Sequence, residues 1–261
     1  MQLIDTHCHL NFKAFSADFL SVAQKSKERG VEKVIIIGSD SETSKRAVEV
    51  AHEINGSLGQ KWAYVALGIH PVHFEDVNNF EKIEILSKDE LTVAIGETGL
   101  DLHHLDREVL PQQKQLLNMH IELAKKLDIP VILHNRKADD DFEALLDEID
   151  IKRAVFHCFS AGHGFAQKVV DRGYFLSFTG TITYGNKKLK KVLKRTPLEN
   201  IMIETDAPYL VPEPLKLEGV SRCEPYMAIE TAKKIAKEKD LDLSEVLAAT
   251  TQNAQNFFNL D

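Results

Sequence analysis

Short apolar segments alternate with charged, helix-like stretches along the whole chain. Eight of these segments are rich in Val, Ile, Leu and Phe and are too short for comfortable helices, which indicates buried β-strands. They cover residues 3–10, 33–39, 63–71, 92–101, 130–136, 154–160, 174–180 and 200–210. Strands that are apolar on both faces are typical of a parallel sheet with both sides covered.

The intervals between these strands carry helical periodicity. Helices are predicted over residues 44–54, 112–127, 165–173 and 244–258. In the second of these, Leu116 and Ile121 belong to one apolar stripe, and His120 on the same stripe is predicted to be partly buried with its hydrogen bonds satisfied. Gly173 is expected to stop the third helix, and Ser244 is expected to be the N-cap of the last.

Regular alternation of strand and helix predicts successive parallel βαβ units, each about 30 residues long. Eight such units in a chain of 261 residues match a (β/α)8, TIM-type barrel of the α/β class. No linker or change in composition divides the sequence, so residues 1–261 are predicted to form one domain. The alternative is a doubly wound open sheet, but the sequence lacks the Gly-rich fingerprint of that fold.

Composition excludes several classes of protein. Lys and Arg number 32 against 40 Asp and Glu, and the resulting net charge of −8 argues against sequence-independent coating of nucleic acid or of an anionic membrane. A nucleic-acid substrate remains compatible if metal ions or a local basic patch neutralise its phosphates. The three cysteines form no CxxC pair, and no apolar segment is long enough to span a bilayer, so a cytoplasmic protein without membrane contact is predicted.

Polar residues collect where the predicted strands end. These residues are His7, His9, His70, Glu97, His134, His157, Glu204 and Asp206. The carboxyl ends of the strands are where a parallel barrel carries its chemistry, and buried strands have no structural reason to end in histidine, because an unpaired buried polar group costs a few kcal/mol. Imidazole and carboxylate together suit a divalent metal site.

The pair His7 and His9 illustrates this interpretation. Side chains alternate along a strand, so both imidazoles should face the barrel axis while Cys8 faces the other way. A lone His-x-His would more simply be an accident of surface or core. Its combination with the acidic and histidine strand ends favours a metal site.

Six segments resemble the motifs of the TatD-related deoxyribonucleases, within the wider amidohydrolase superfamily. They read "DTHCHL", "GIHP", "IGETGLD", "PVILHNR", "FHCFS" and "IETDAPYL" and occur in the family's order from residue 3 to the C-terminal helix. The resemblance implies a distorted TIM barrel with two divalent metal ions, for which Zn, Mg and Mn are candidates. It also implies hydrolysis of phosphodiester bonds in DNA or nucleotides, with exonucleolytic action as the expectation.

The resemblance assigns roles to individual residues. The implied metal ligands are His7, His9 and Asp206 for the first ion, His134 and His157 for the second, and Glu97 as the bridge between them. Asp206 is also expected to orient and deprotonate the attacking water. Glu204 is the second candidate catalytic carboxylate, and fixing the tautomer of a ligand histidine is the favoured role for it.

Three residues are expected to contact the substrate. His70 ends a strand, where a phosphate contact and a hydrogen bond to the loop before Pro71 are equal alternatives. Arg136 could grip a phosphate with two parallel hydrogen bonds, and a salt bridge at the barrel rim is the alternative. Arg222 lies in a loop that departs from the family pattern, because Cys223 stands where asparagine is usual. Asp101 could support a ligand histidine or form a turn.

The run "NKKLKKVLKR" (186–195) is the one strongly basic stretch. The solvated face of a helix is the favoured interpretation, and a track for nucleic acid is the alternative, because phosphate sites often follow the seventh strand of a barrel.

Together with the family resemblance, the polar strand ends predict a metal-dependent deoxyribonuclease. A small-molecule amidohydrolase or lactonase with the same metal site is the first alternative, and a non-catalytic metal-binding barrel is the second.

Overall fold

Eight parallel strands, hydrogen-bonded in chain order, form a single sheet in the computed structural model, which describes residues 2–260. The strands are β1 (Leu3–Cys8), β2 (Val31–Ile37), β3 (Ala63–Leu67), β4 (Thr92–Asp101), β5 (Val131–Arg136), β6 (Ala154–Phe156), β7 (Phe175–Phe178) and β8 (Ile201–Ile203). Seven of them lie within segments predicted from the sequence, and β2 overlaps its predicted segment, 33–39, but begins two residues earlier.

The described part of the chain contains ten α-helices, which connect and cover the strands. They are α1 (Phe19–Glu28), α2 (Ser41–Leu58), α3 (Phe80–Leu86), α4 (Leu110–Leu127), α5 (Asp139–Leu146), α6 (His163–Asp171), α7 (Lys187–Arg195), α8 (Glu213–Leu217), α9 (Ala228–Lys239) and α10 (Leu243–Phe258). Within residues 2–260, none of these helices combines the length and the apolar character that a bilayer crossing requires.

The sheet curls until its first and last strands meet. The amide of Asp206 donates to the carbonyl of His7 at 2.8 Å, and the amide of His9 donates to the carbonyl of Ala207 at 2.7 Å. Because these bonds join the two edges, the sheet is a nearly closed barrel, and the predicted (β/α)8 fold is confirmed.

Apolar side chains fill the barrel from its amino-terminal end. Ile4, Ile132 and Met202 belong to an inner cluster that also includes Phe257 and Phe258 from the last helix. The α10 aromatic residues pack beside the strand starts, and Arg153, just before β6, donates to the carbonyl of Phe257. The polar chemistry is therefore left to the opposite, carboxyl-terminal end.

Strand β4 is irregular at the position that matters for the site. From Ile95 to Thr98 it advances three residues while its neighbour β5 advances two. The extra residue reverses the alternation of side chains. As a result Thr98 faces outward, with its Oγ1 3.2 Å from Nδ1 of His120 on α4, and Glu97 points into the barrel mouth.

Strand β1 has a matching irregularity. Between Asp5 and Cys8 it advances three residues while β2 advances from Val34 to Ile36. Cys8 consequently packs in the outer apolar layer, and its thiol lies 3.5 Å from the carbonyl of Ile35. His7 and Cys8 therefore point to opposite sides of the sheet, as predicted. The bulge is needed for this arrangement, because regular alternation counted from the inward-facing Ile4 would turn His7 away from the barrel axis.

Two sequence-based details are wrong. Asp242 precedes the first residue of α10, so the predicted N-cap role of Ser244 is not realised. His120 is fully buried rather than partly buried. Its ring is nevertheless satisfied, because Nδ1 donates to the carbonyl of Leu116 at 2.8 Å and Nε2 accepts from the amide of Ile69 at 2.9 Å.

Alanine at position 99 is expected to lower the free energy of unfolding by at least about 2 kcal/mol. The added Cβ would lie 2.0 Å from the carbonyl oxygen of His134, and φ at Gly99 is +146°. Gly56→Ala is the control, because Gly56 lies inside α2 and its added Cβ would meet open space among the described residues. This control should be neutral or stabilising by about 1 kcal/mol. Urea denaturation measures both, and equal stabilities would contradict the close approach of β4 to β5.

Candidate metal centre

Six side chains predicted to bind metal lie together at the carboxyl-terminal end of the barrel. They are His7 from β1, His9 just beyond it, Glu97 from β4, His134 from β5, His157 immediately after β6 and Asp206 after β8. Groups of three ligand atoms from these residues lie within 4.8 Å of one another. The residues are up to about 200 positions apart in sequence, and only the closure of the barrel brings them into contact.

The first group surrounds Nε2 of His7. This atom lies 3.6 Å from Oε2 of Glu97 and 3.6 Å from Oδ1 of Asp206. Nε2 of His9 lies 3.3 Å from the same Asp206 oxygen. Two ligands bound to one tetrahedral zinc ion are about 3.4 Å apart, since each ligand bond is about 2.1 Å long. These separations are thus long for hydrogen bonds but fit ligands of a shared ion.

The second group is tighter. Nε2 of His157 lies 2.9 Å from Oε2 of Glu97 and 2.9 Å from Nδ1 of His134. Neighbouring ligands of a six-coordinate ion with bonds of about 2.1 Å are about 3 Å apart. Glu97 belongs to both groups, so its carboxylate is the one placed to be shared.

Unpaired nitrogen atoms also fit a metal ion. Among the described residues, neither ring nitrogen of His7 has a hydrogen-bond partner, and the same is true of Nδ1 of His157. Burial, followed by the charge of the stacked His157 ring, holds the pKa of His7 well below its ordinary value. A buried, neutral imidazole with a free lone pair is the form that binds a metal.

Asp101 orients His134. Its Oδ2 lies 3.1 Å from Nε2 of His134, while Oδ1 accepts hydrogen bonds from the backbone amides of His103 and His104. Burial opposes ionisation of Asp101, but these hydrogen bonds outweigh it and keep its pKa below the ordinary range. One oxygen of the Asp101 carboxylate thus contacts the predicted ligand His134, and the other binds the turn that follows β4, so its contacts correspond to both roles considered for it.

Glu204 contacts one of the six predicted ligands, His157, rather than belonging to a ligand group itself. Its Oε1 accepts a 2.6 Å hydrogen bond from the amide of Cys158 and lies 3.7 Å from Nδ1 of His157. The carboxylate therefore holds the backbone immediately after His157. This position agrees with the supporting role favoured for Glu204 over a direct part in the reaction.

His70 contacts the same centre but differs from the six predicted ligands in its hydrogen bonding. Its ring centroid is 4.2 Å from that of His134, and its Nδ1 accepts the amide hydrogen of Val72 at 3.1 Å. In a neutral imidazole the other nitrogen, Nε2, then carries the proton. Burial lowers the pKa of His70 to about 3. The ring is consequently a neutral N–H donor, which suits a contact with a substrate oxygen better than a bond to a cation.

The two predicted substrate arginines have different surroundings. Arg136 is exposed at the end of β5, and its Nη1 lies 3.1 Å from Nε2 of His104 at the barrel rim. Arg222 instead makes two hydrogen bonds to the carboxylate of Asp18, at 3.0 and 2.7 Å, and a third to Glu224 at 3.2 Å. Arg222 is therefore occupied in joining its loop to the start of α1.

Sequence reasoning missed the pair Asp5 and Thr205. Asp5 is fully buried, and its carboxylate accepts hydrogen bonds from both the amide and the hydroxyl of Thr205. Gln113 on α4 was also missed, although its side chain binds both backbone groups of Asp101. An acidic residue within an otherwise apolar strand start was the one available signal for Asp5.

Known proteins resemble this chain over nearly its full length. The family profile described as TatD related DNase matches residues 4–259. YabD of Bacillus subtilis (strain 168), an uncharacterized metal-dependent hydrolase, is 35% identical over 264 residues, which cover 99% of this chain and 100% of that protein. The human protein named deoxyribonuclease TATDN3 is 32% identical over 270 residues, covering 98% and 94%. The crystal structure of YjjV, a TatD homologue from Escherichia coli K12, has a TM-score of 0.88 and 31% identity, covering 99% and 98%.

The barrel, its clustered histidines and carboxylates and these relatives together define a metal-dependent hydrolase. The chain belongs to the TatD-related DNase family, as its motifs predicted.

Divalent metal is expected to stabilise the folded chain. Zn²⁺ added to chelator-treated protein at 100 times its Kd should raise the free energy of unfolding by about 2.7 kcal/mol and increase Tm accordingly. His7→Asn should remove most of this increase, because the His7 ring lies at the centre of the first group. His52→Asn, at an exposed histidine of α2, is the control and should keep it. Thermal unfolding followed by circular dichroism measures the effect, and a wild-type Tm insensitive to Zn²⁺, Mn²⁺ and Mg²⁺ would exclude a metal centre.

Proposed function

We propose that this protein is a divalent-metal-dependent phosphodiesterase that hydrolyses DNA. The observation that supports it most is the convergence of imidazoles and carboxylates at the open end of the barrel. Membership of a family in which a human relative is named a deoxyribonuclease supports the choice of substrate. Exposed Arg136 at the barrel rim and the α7 lysines beyond the seventh strand offer positive charge for phosphates in an otherwise acidic protein.

The ligands in this proposal follow the two groups of side chains. His7, His9 and Asp206 would hold one ion, His134 and His157 the other, and Glu97 both. Bound divalent ions would supply a water that ionises near neutral pH and positive charge beside the phosphodiester oxygens. Mixed nitrogen and oxygen ligands are compatible with zinc, manganese and magnesium.

Asp206 is the residue proposed to manage the proton. Its side chain is 18% exposed, compared with 6% for Glu97, so its carboxylate is the one nearer to the opening. Oδ1 of Asp206 would orient the attacking water and accept its proton. Glu204 would act on His157 and its backbone, without contacting the reacting atoms.

Two donors are placed to contact the phosphodiester. His70 would donate a hydrogen bond from Nε2–H to a non-bridging oxygen, since its other nitrogen, Nδ1, accepts the amide hydrogen of Val72. Arg136 at the rim would form paired hydrogen bonds to a neighbouring phosphate. Arg222 is bound to Asp18 and Glu224 and would have to break these contacts before it could bind substrate, so it is the weakest of the three predicted contacts.

Asp206→Asn is expected to reduce hydrolysis of DNA by about 100-fold or more, because it removes the proton acceptor and weakens a metal ligand. The assay follows release from end-labelled single-stranded and double-stranded oligonucleotides with added Mn²⁺ or Mg²⁺. Asp242→Asn, at an exposed residue before α10, is purified in parallel as a control for contaminating nucleases. Undiminished activity in Asp206→Asn would reject the site, and turnover confined to a panel of amides and lactones would reject the nuclease in favour of an amidohydrolase.

The lysines at the start of α7 are expected to contribute to DNA binding. Lys187 and Lys188 are exposed where α7 leaves the carboxyl-terminal face, whereas Lys190 pairs with Glu238 at 3.0 Å. The double variant Lys187→Gln/Lys188→Gln should flatten the slope of log K against log salt by about 0.7 per lost phosphate contact.

A charge-matched control checks this assignment. Lys126→Gln/Lys152→Gln removes two exposed lysines that precede β5 and β6, at the opposite end of the barrel. Fluorescence anisotropy with a labelled single strand measures both slopes. If the two double variants have the wild-type slope, the basic run of α7 is only a solvated helix face.

A further inference from the structure

We propose that Asp5 and Thr205 form a clasp that sets the spacing of the metal ligands His7 and Asp206, and that both are positioning residues for the metal centre. This inference rests on the metal ligands of the proposed function. It concerns two side chains that would not contact a metal ion or substrate but that hold the backbone carrying the ligands.

The clasp is a compact set of hydrogen bonds inside the protein. Oδ1 of Asp5 accepts from the amide of Thr205 at 2.9 Å and from the amide of His7 at 3.3 Å. Oδ2 accepts from the Thr205 hydroxyl at 2.6 Å, and that hydroxyl oxygen in turn accepts from the amide of Ala207 at 3.1 Å. Asp5 and Thr205 are both almost completely inaccessible to solvent. One buried carboxylate thus binds the two chain segments that carry His7 and Asp206.

The position of the clasp coincides with the closure of the barrel. Strand β8 ends at Ile203, and among the described residues the chain beyond it pairs with β1 through one isolated bridge, between Cys8 and Ala207. The two backbone hydrogen bonds there involve ligand residues directly, from Asp206 to His7 and from His9 to Ala207. A small shift between the two edges would therefore change the distances between proposed ligands.

Asp206 has a further need for support. Its φ is +60°, in the left-handed region that residues other than glycine rarely adopt. Such a conformation persists only when its surroundings determine it. The clasp fixes the residue on each side of Asp206, through the Thr205 amide and hydroxyl and through the Ala207 amide. The carboxylate of Asp206 is thereby aimed at His7 and His9.

Thr6 provides a matched control on the same strand. Its hydroxyl is buried, donates to the carbonyl of Ile203 at 3.1 Å and lies 3.2 Å from Oγ of Ser177. Thr6 thus also links β1 to the end of the sheet, but its partners precede residues 204–207. Thr6→Val and Thr205→Val remove one hydroxyl each and conserve side-chain shape, so their effects on stability should be similar.

The test measures Zn²⁺ binding to chelator-treated protein by isothermal titration calorimetry, together with Tm of the same metal-depleted samples. Thr205→Val is expected to weaken Zn²⁺ binding by about 10- to 100-fold, the usual effect of losing a group that supports a metal ligand. Thr6→Val should lower Tm comparably but retain wild-type affinity. Thr205→Ser restores the hydroxyl and should restore the affinity. Asp5→Asn, which keeps one acceptor oxygen, should give a smaller loss than Thr205→Val.

Asp206→Asn separates failure of the clasp from failure of the proposed function. If Asp206→Asn binds Zn²⁺ as tightly as wild type, the ligand assignment is overturned and the positioning role with it. If Asp206→Asn loses affinity while Thr205→Val and Asp5→Asn keep it, the clasp alone is overturned and is only a structural contact. Loss of affinity in both Thr205 and Asp206 variants, with Thr6→Val unaffected, supports the clasp.

Discussion

Among the described residues, the carboxylates of Glu97, Glu204 and Asp206 at the barrel mouth form ion pairs with histidines and with no lysine or arginine. Imidazole is mostly neutral at physiological pH, whereas a buried carboxylate needs a compensating charge. Burial and the charge of His157 lower the pKa of His7, while Glu97 and Glu204 outweigh burial and raise that of His157. The pKa values of the two stacked rings are thus shifted in opposite directions, and a divalent cation beside them would favour the neutral, metal-binding form of both.

The fold concentrates these groups through two local departures from regular structure. A barrel brings strand ends together, but alternation alone would direct some of their side chains to the outer layer. The extra residues in β1 and β4 change this alternation at His7 and Glu97, so that both side chains point into the barrel mouth. Each of these two residues belongs to more than one group of candidate ligands. Gly99 permits the close approach of β4 to β5 that accompanies one of them. The site therefore depends on backbone irregularities as much as on the identities of the ligands.

This dependence explains how far the sequence could predict the molecule. Apolar segments of strand length, spaced by helical periodicity, were sufficient to predict the barrel, and polar residues at their ends were sufficient to predict which side chains meet at the candidate site. The bulges could not be predicted, because their signal is a register between neighbouring strands rather than a pattern within one. The partners of Asp5 and Arg222 were equally inaccessible, since Thr205 and Asp18 lie about 200 residues away along the chain. Composition describes which groups are present, while closure of the barrel decides which of them meet.

Hydrogen bonding to the second ring nitrogen distinguishes histidines that sequence treats alike. Nδ1 of His9 lies within hydrogen-bond distance of a backbone carbonyl and therefore carries the proton. Nε2 keeps its lone pair and faces Asp206. His134 is held at Nε2 by a carboxylate, which leaves Nδ1 facing the second group. His70 accepts a backbone amide and becomes an N–H donor, and His120 is satisfied at both nitrogens within the core. The proposed ligands, the proposed substrate donor and the structural histidine therefore differ in their fixed hydrogen-bond partner, which determines which ring nitrogen keeps a lone pair.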